Sequence, residues 1–299
     1  MALVIIPILD GIYRMLTKDQ NSHYVELLVN EMQLRNYSSR TIRSYSELMS
    51  KLEKYYSLPL DQITTDHFKC YLLQRISNEA ISTSMTNQYI SAFKILQVDV
   101  LKHDIAQIRI KRPRRVKRLP VVLSINEVEK LITATRNLKH KAIIMLAYSS
   151  GLRRQEIQQI KPSAIDSSRM QVHVVQGKGK KDRYTILSPK ALEVLRLYYK
   201  YEKPSCFLFE VQGKKGKQLA DGTLNCIVKK LAVKAGIKKQ VSFHTLRHCF
   251  ATHLLEKGVN LKLIRQFMGH ASIKTTSGYL HLANVNPSSV ISPLDSMNL

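Results

Sequence analysis

Five short clusters in the second half of the chain combine residue types that can bind a phosphodiester and attack it. A guanidinium fork can hold two phosphate oxygens, histidine and lysine can move protons, and a tyrosine oxygen can act as the nucleophile. The clusters are Gly-Leu-Arg at 151–153, Gly-Lys-Gly at 177–179, His-Thr-Leu-Arg-His at 244–248, Met-Gly-His at 268–270 and Thr-Ser-Gly-Tyr at 276–279. Their chemically competent side chains are Arg153, Lys178, His244, Arg247, His270 and Tyr279.

The cluster that begins at His244 predicts the start of a helix. His244, Arg247 and His248 share one side of that helix, because three residues turn it by roughly 300°. A guanidinium and an imidazole at a helix start suit phosphate binding, since the N-terminal end carries positive potential. A zinc site is a poor alternative, because the glutamate of H-E-x-x-H and a third nearby ligand are missing from the sequence.

Three candidates rest on weaker local signals. Glu156 follows Arg153 by three residues and can brace it from the same helix face, although this spacing is also typical of surface ion pairs. Lys178 lies on a glycine-flanked turn, which is typical of solvated tips as well. Tyr279 lies in a polar stretch nine residues after His270 rather than in an apolar stripe, which favours chemistry over core packing.

The chain is strongly basic, with 47 Lys and Arg against 22 Asp and Glu and a net charge of +25. Such an excess predicts a polyanionic partner, either nucleic acid or an anionic membrane. No stretch approaches the ~18 apolar residues of a membrane span, so we expect double-stranded DNA rather than a membrane. The residues predicted to contact DNA are Arg112, Arg114, Arg115, Lys117, Arg118, Lys180, Lys181 and Arg183.

Residues 109–118 divide the chain into two halves. Seven of these ten residues are basic. Pro113 and mutual charge repulsion predict an extended segment, either a solvated linker or one that also lies along a phosphate backbone. We predict an N-terminal extension at 1–21, a helical domain at 22–108, a basic linker at 109–120, a chemistry-bearing domain at 121–286 and a tail at 287–299.

Hydrophobic periodicity predicts a mainly α fold with one small antiparallel β-sheet. Four amphipathic helices fill residues 22–102, with N-caps expected at 38 or 39, 64 or 65, and 82 or 83. In the second half, Ser124 and Glu127 have capping-box spacing, and Gly151 is expected to end a helix over 139–149. Strands are predicted at 171–175 and 183–187, and further helices at 189–202, 221–235, 244–257, 260–268 and 273–281.

The cysteines indicate a reducing compartment. Cys70, Cys206, Cys226 and Cys249 form no close pair, which predicts free thiols rather than a disulfide framework. The apolar run at 2–9 lacks a basic region before it and a small-residue cleavage site after it, so we expect no export signal. We therefore expect a cytoplasmic location.

As a set, these motifs resemble those of the tyrosine recombinases, or phage-type integrases, and are most similar to the Xer-like branch of bacteria and mobile elements. The resemblance spans residues 24–281 and matches the H-T-L-R-H-x-F-A-T-H-L motif, the Gly-His pair and the tyrosine nine residues later. It implies a core-binding (SAM-like) domain of four helices, followed by a catalytic domain. It also implies site-specific DNA cleavage and rejoining by a homotetramer on two DNA sites, without metal or ATP. A prokaryotic, nucleoid-associated location is implied as well.

The resemblance also assigns roles to individual residues. It makes Tyr279 the nucleophile, and Arg153, Arg247 and His270 the phosphate-binding groups. Three further roles follow: Lys178 as the general acid, His244 as the general base and Glu156 as a supporting residue. Three positions depart from the usual family residues without removing a catalytic group: Arg154, Gln155 and Cys249.

Two alternative functions share this fold and charge. One is an architectural or regulatory DNA-binding protein without cleavage, which the complete set of six residues argues against. The other is a topoisomerase that relaxes one duplex by the same chemistry. The tail argues for recombination, since the resemblance implies that this segment packs into a neighbouring protomer. The sequence does not define the target site, because base contacts can be assigned only from geometry. It also leaves open whether the role is integration, excision, dimer resolution or cassette movement.

Overall fold

The computed structural model describes residues 22–114, 119–175 and 182–283 of the chain. These residues form two compact units that divide between positions 117 and 118. Most of the described residues lie in helices, and two small antiparallel sheets lie in the second unit. The predicted mainly α fold is confirmed. Among the described residues, no helix combines the length and the apolar character needed to cross a membrane.

The N-terminal unit contains four α-helices. They are α1 (His23–Leu34), α2 (Ser39–Tyr56), α3 (Thr65–Glu79) and α4 (Thr83–Lys94), and a π-helical turn at Ile95–Val100 and a 3-10 turn at Ile105–Gln107 follow α4. Ser38, Thr64 and Ser82 cap the second, third and fourth helices, because each side chain accepts the N–H of the residue three positions later. The apolar faces meet in one core, where the Phe68 and Phe93 rings stack at 4.0 Å.

The C-terminal unit surrounds a larger core with helices. They are α5 (Ile125–Thr133), α6 (Leu138–Ser150), α7 (Arg154–Gln159), α8 (Pro189–Glu202), α9 (Thr223–Lys234), α10 (Phe243–Glu256), α11 (Leu261–Met268) and α12 (Ile273–Ser277). Ser124 and Glu127 form the predicted capping box at α5. Gly151 ends α6 in the left-handed conformation, as expected of a glycine at this position.

A three-stranded antiparallel sheet forms one side of this unit. Its strands β1 (Ile165–Asp166), β2 (Gln171–Val174) and β3 (Arg183–Ile186) follow each other in order, and Val174 pairs with Arg183 at the end of the β2–β3 hairpin. The predicted hairpin is therefore present. A separate hairpin of β4 (Glu210–Val211) and β5 (Lys214–Gln218) was not predicted, because such short strands show no hydrophobic alternation.

The last helix is shorter than predicted. α12 ends at Ser277 rather than near residue 281. Beyond it, Tyr279 and Leu280 donate their N–H groups to carbonyls three residues back, the pattern of tight turns rather than of an α-helix. Tyr279 therefore lies on a turn after α12.

Candidate active site

Helix α10 presents the first group of candidate residues because its other side chains anchor it in the core. Ser242 and Thr245 form a reciprocal cap at its start, and Leu246 and Phe250 are buried. The His244 and His248 rings lie one turn apart and meet edge to face, with centroids separated by 4.8 Å. The predicted helix over 244–257 is confirmed.

Arg247 lies almost wholly inside the protein, with 1% of its surface exposed. Its guanidinium donates to the backbone carbonyls of Gly151 and Met268 and, at 3.1 Å, to Nε2 of His270. Burial, followed by the charge of Arg153, lowers the pKa of Arg247 to about 9, so the group stays cationic at neutral pH. The side chain thus links the end of α6 to the end of α11.

Three arginines converge on the C-terminal end of α11. A helix end leaves its last carbonyls without intrahelical partners, and these carry partial negative charge. Each of three consecutive carbonyls here accepts a hydrogen bond from one arginine: Phe267 from Arg183 at 2.8 Å, Met268 from Arg247, and Gly269 from Arg153 at 3.0 Å. The helix end therefore offsets the mutual repulsion of the three cations and fixes their positions.

Two motif glycines make this convergence possible. Gly151 and Gly269 both have positive φ, 60° and 59°, which side chains disfavour. A Cβ atom on Gly151 would lie 2.3 Å from the Phe250 ring, and one on Gly269 would lie 2.6 Å from Cδ of Arg183. Both glycines are thus required by backbone conformation and by close approach of a neighbour.

Glu156 is the carboxylate shared by this arginine cluster. It accepts the backbone N–H of Arg153 at 2.7 Å and its guanidinium at 2.8 Å, and Arg183 binds both carboxylate oxygens at 2.7 Å. Burial alone would raise the pKa of Glu156, but hydrogen bonds and charge from Arg183, with those from Arg153, lower it to about 2. Three arginines against one carboxylate leave a surplus of positive charge suited to an anion.

The structure corrects the sequence prediction for Arg183. We expected it to contact DNA, but its side chain is buried and engaged by Glu156 and by the Phe267 carbonyl. A guanidinium held on both sides in the interior is not available to an external phosphate. Arg183 instead holds Glu156, which in turn holds Arg153.

The candidate nucleophile lies inside the site. Tyr279 is 6% exposed, and its ring is parallel to that of His270 at a centroid distance of 6.4 Å. Its hydroxyl forms a 2.9 Å hydrogen bond with Nδ1 of His248. Burial raises the pKa of Tyr279, whereas the charges of Arg247 and Arg153 lower it. Sequence reasoning chose His244 as the proton-accepting partner, but His248 is the residue that makes this hydrogen bond.

The histidines of the site are neutral at pH 7. Burial, followed by neighbouring positive charge, lowers the pKa of His270 to about 3, and burial and His244 lower that of His248 to about 4. The pKa of His244 is lowered by burial and Arg247. Because Nε2 of His270 accepts from Arg247, its proton lies on Nδ1, which donates to Thr276 at 3.0 Å.

Several predicted site residues lie outside the described residues. They are the candidate general acid Lys178 and the predicted DNA contacts Lys180, Lys181, Arg115, Lys117 and Arg118. Arg112 and Arg114 are described and exposed. Arg112 donates to Asn87 and Ser91 of α4, so the first part of the basic segment lies against the helical unit.

Two residues of the site were missed or misassigned by sequence reasoning. His248 had a usable signal, since it follows His244 by one helical turn and was placed on the same face. Arg183 had none, because its partner Glu156 lies 27 residues away in the chain. No local periodicity connects a strand residue to a helix residue at that separation.

Two family models match this chain. The model described as "Phage integrase family" matches residues 122–285, and "Phage integrase, N-terminal SAM-like domain" matches residues 25–107. A putative integrase/recombinase, y4qK, of Sinorhizobium fredii is 33% identical over 89% of this chain and 86% of its own length. Tyrosine recombinase XerA of Pyrococcus horikoshii is 33% identical over 87% of this chain and 89% of its own.

Solved structures show the same fold. A crystal structure of XerA recombinase covers 89% of this chain and 95% of its own, with 28% identity and a TM-score of 0.52. XerH site-specific recombinase, solved bound to its palindromic difH substrate after cleavage, covers 84% of this chain and 78% of its own, with 23% identity and a TM-score of 0.65. This second likeness supports the fold alone.

Proposed function

The chain belongs to the phage integrase family and is a tyrosine recombinase, and from that premise we propose that Tyr279 cleaves duplex DNA by forming a 3′-phosphotyrosyl bond. The observation that carries this assignment is the position of Tyr279, whose hydroxyl is hydrogen-bonded to His248 and whose ring lies parallel to that of His270, the residue that Arg247 contacts. Both arginines would bind the non-bridging oxygens and stabilise the charge of the transition state.

The proposed cleavage step exchanges one phosphoester for another. The Tyr279 oxygen bonds to phosphorus, the bond from phosphorus to the 5′-oxygen breaks, and Lys178 donates the proton that this oxygen takes. The phenolic proton leaves toward the histidines of α10, where His244 is the assigned general base and His248 contacts the hydroxyl. A 5′-hydroxyl from a partner duplex then attacks the phosphotyrosine, so rejoining needs neither ATP nor a metal.

His270 needs a different partner before it can serve the phosphate. Its Nε2 accepts from Arg247 in the described state and cannot donate there. A phosphate oxygen that takes the Arg247 hydrogen bond would release Nε2, and its negative charge would favour protonation of the ring. We propose that His270 becomes the predicted donor only after phosphate binds.

The proposed partner is double-stranded DNA carrying two target sites. The net charge of +25 supports a polyanion, and relatives of this fold were solved with DNA, among them a lambda integrase dimer bound to a core site. We propose a homotetramer on two sites, a mobile-element role and a nucleoid-associated location in a prokaryotic cytoplasm. We also propose a core-binding domain at 22–108, a linker at 109–120 and a catalytic domain at 121–286, and the family matches at 25–107 and 122–285 support the two domains.

The deciding experiment uses plasmids that carry the DNA flanking this chain's own gene. We expect a protein–DNA adduct that survives denaturation, and product circles only when two copies of the site are present. Relaxation of any supercoiled plasmid, without exchange between sites, would identify a topoisomerase instead. Binding without an adduct would identify a catalytically silent DNA-binding protein.

The tail at 287–299, outside the described residues, is proposed to dock on a neighbouring protomer. Val290, Ile291 and Leu294 are too few to form a core, and each would contribute roughly 1.5–3 kcal/mol if buried in a groove. Deleting 287–299 should leave binding to one site intact but reduce cooperative occupancy of paired sites. Gel shifts with unchanged cooperativity would contradict docking in trans.

A further inference from the structure

The hydrogen bond between Tyr279 and His248 joins two separate parts of the C-terminal unit. Tyr279 lies on the turn after α12, and His248 lies 31 residues earlier on the buried helix α10. Their ring centroids are 5.6 Å apart, and the oxygen-to-nitrogen distance is 2.9 Å. The contact therefore fixes the reacting oxygen relative to the helix that carries Arg247.

The protonation states of His248 and Tyr279 determine which forms of this hydrogen bond are possible. Burial, then His244 and Arg247, lowers the pKa of His248 to about 4, whereas burial raises the pKa of Tyr279. The imidazole is therefore neutral and the phenol keeps its proton. Either group can then donate, according to which ring nitrogen carries the proton, and we infer the tautomer with the proton on Nε2, in which Tyr279 donates and Nδ1 accepts. Because the phenol is the far weaker acid, the contact orients the oxygen and does not ionise it.

We propose that His248 is a positioning residue for the nucleophile. By accepting a hydrogen bond from the phenol on Nδ1, it directs the O–H bond toward α10 and holds the oxygen near Arg247 and Arg153. The His244 ring meets the His248 ring edge to face at 4.8 Å and supports its orientation. The inference rests on the proposed role of Tyr279 as the nucleophile.

The test compares variants that keep or remove the acceptor at the Nδ1 position. His248→Asn places its amide oxygen near that position but has no basic nitrogen, whereas His248→Leu removes the acceptor. His248→Gln keeps a polar side chain but places its amide near the Nε2 position, which covers the case in which the Leu variant does not fold. The matched control is His253→Asn, at the other hydrogen-bonded histidine–tyrosine pair of α10.

The first readout is the single-turnover rate of adduct formation on the DNA flanking this chain's gene, at saturating protein. We expect His248→Leu and His248→Gln to lose roughly tenfold to a hundredfold, the range for a misplaced reacting group, with unchanged DNA affinity. His248→Asn should stay within a few-fold of the wild type. His253→Asn should change thermal stability and not this rate.

Two outcomes would overturn the proposal. An Asn variant that loses as much as Leu would make His248 a proton acceptor rather than a positioning residue. A Leu variant as fast as the wild type would show that the contact does not contribute to cleavage. A faster Leu variant would show that the contact holds Tyr279 in an inactive position. These results are distinct from failure of the proposed function, in which the wild-type protein forms no adduct.

The second readout needs no DNA. In full-length protein with ¹⁵N-labelled histidine, Tyr279→Phe should shift the Nδ1 resonance of His248 toward that of a nitrogen without a donor, and leave the His253 resonances in place. An unchanged His248 resonance would show that the contact is absent in solution and would overturn the proposal. This measurement tests the Tyr279–His248 hydrogen bond even if the protein cleaves none of the DNA sites tried.

Discussion

Helix α10 has two faces that use the same residue types for different purposes. On one face, His248 contacts Tyr279 at 2.9 Å; on the other, His253 contacts Tyr148 at 2.8 Å, again through Nδ1. Nε2 of His253 also donates to the Leu123 carbonyl at 2.9 Å, so Nδ1 must accept from Tyr148. Each tyrosine hydroxyl is thus paired with Nδ1 of a histidine on the same helix.

The difference between the pairs lies in the charges around each phenol. Burial raises the pKa of Tyr279 above its ordinary value, and the charges of Arg247 and Arg153 partly counteract this shift. Burial, followed by electrostatic interactions with Cys249, Glu129 and Glu256, raises the pKa of Tyr148 to about 12. A hydrogen bond to histidine therefore does not distinguish a nucleophile from a structural tyrosine. The sign of the surrounding field does, because only positive charge stabilises a developing phenolate and binds the phosphate it attacks.

The most direct test of this difference between Tyr279 and Tyr148 is to remove each phenolic oxygen in turn. Tyr279→Phe should abolish the covalent adduct and leave DNA affinity unchanged, since only the nucleophile is lost. Tyr148→Phe should form the adduct at the wild-type rate and lose about 1 kcal/mol of stability, the worth of one hydrogen bond. Denaturing gels of the two variants with DNA provide the measurement. An adduct formed by the Tyr279→Phe variant would assign the chemistry to another tyrosine.

The positive charge that Arg153 and Arg247 place around Tyr279 can be reduced without changing either tyrosine. Arg247→Ala should slow cleavage by roughly 10²–10³-fold, about 3–4 kcal/mol at the transition state, with a much smaller loss of DNA affinity. The matched control is Arg196→Ala, which removes an exposed arginine from α8. Circular dichroism is needed alongside the kinetics, because the variant also leaves the Gly151 and Met268 carbonyls without their partner. Equal losses in affinity and rate would make Arg247 an ordinary phosphate clamp.

The basic residues of 109–118 are expected to affect DNA binding, whereas Arg153 and Arg247 are expected to affect the cleavage rate. Neutralising Arg112, Arg114, Arg115, Lys117 and Arg118 should weaken binding and flatten its salt dependence. The log–log slope should fall by about 0.9 for each phosphate that the variant no longer neutralises. At saturating DNA the adduct rate should not change. An unchanged slope would identify the segment as a linker that does not touch the phosphates.

Glu156 stabilises the folded protein through its ion pairs with Arg153 and Arg183. Its pKa of about 2 lies below the ordinary value of 4.5, so its contribution is complete above pH 4.5 and is lost as the pH falls toward 2. The shift corresponds to roughly 3 kcal/mol. Glu156→Gln should lose about this much at pH 7 and show a flatter decline of stability in acid. Urea unfolding between pH 3 and 7 measures both; parallel curves for the two proteins would contradict the assignment.

The smallest effects are expected on the structural face of α10. Cys249 accepts the Leu123 N–H through Sγ at 3.2 Å, and burial raises the pKa of its thiol to about 11. N-ethylmaleimide should therefore label Cys70, Cys206 and Cys226, which are exposed, and reach Cys249 only after unfolding. Cys249→Ser should shift stability by about 1 kcal/mol or less and leave the adduct rate unchanged. Rapid labelling of all four thiols in the folded protein would contradict this packing.

Local features of the sequence determined most of the fold. Neighbouring residues identified the cap at Ser124 and the glycine that ends α6, and they placed three further caps at 38 or 39, 64 or 65, and 82 or 83, of which the structure has Ser38, Thr64 and Ser82. Such features depend only on residues within one helical turn of each other, so they can be recognised from the sequence alone. The two-residue strands and the early end of α12 were missed, because elements this short have no measurable period.

The sequence by itself also determined which residue types the site contains, since its motifs name a tyrosine, arginines and histidines at family spacing. The tertiary structure decided which of them meet. It placed His248 rather than His244 on the Tyr279 hydroxyl, and turned Arg183 inward onto Glu156. These pairs lie 31 and 27 residues apart in the chain. Their contact, and the field around each phenol, depend on how helices and strands pack, because distance in space governs charge and hydrogen bonding and separation along the chain does not.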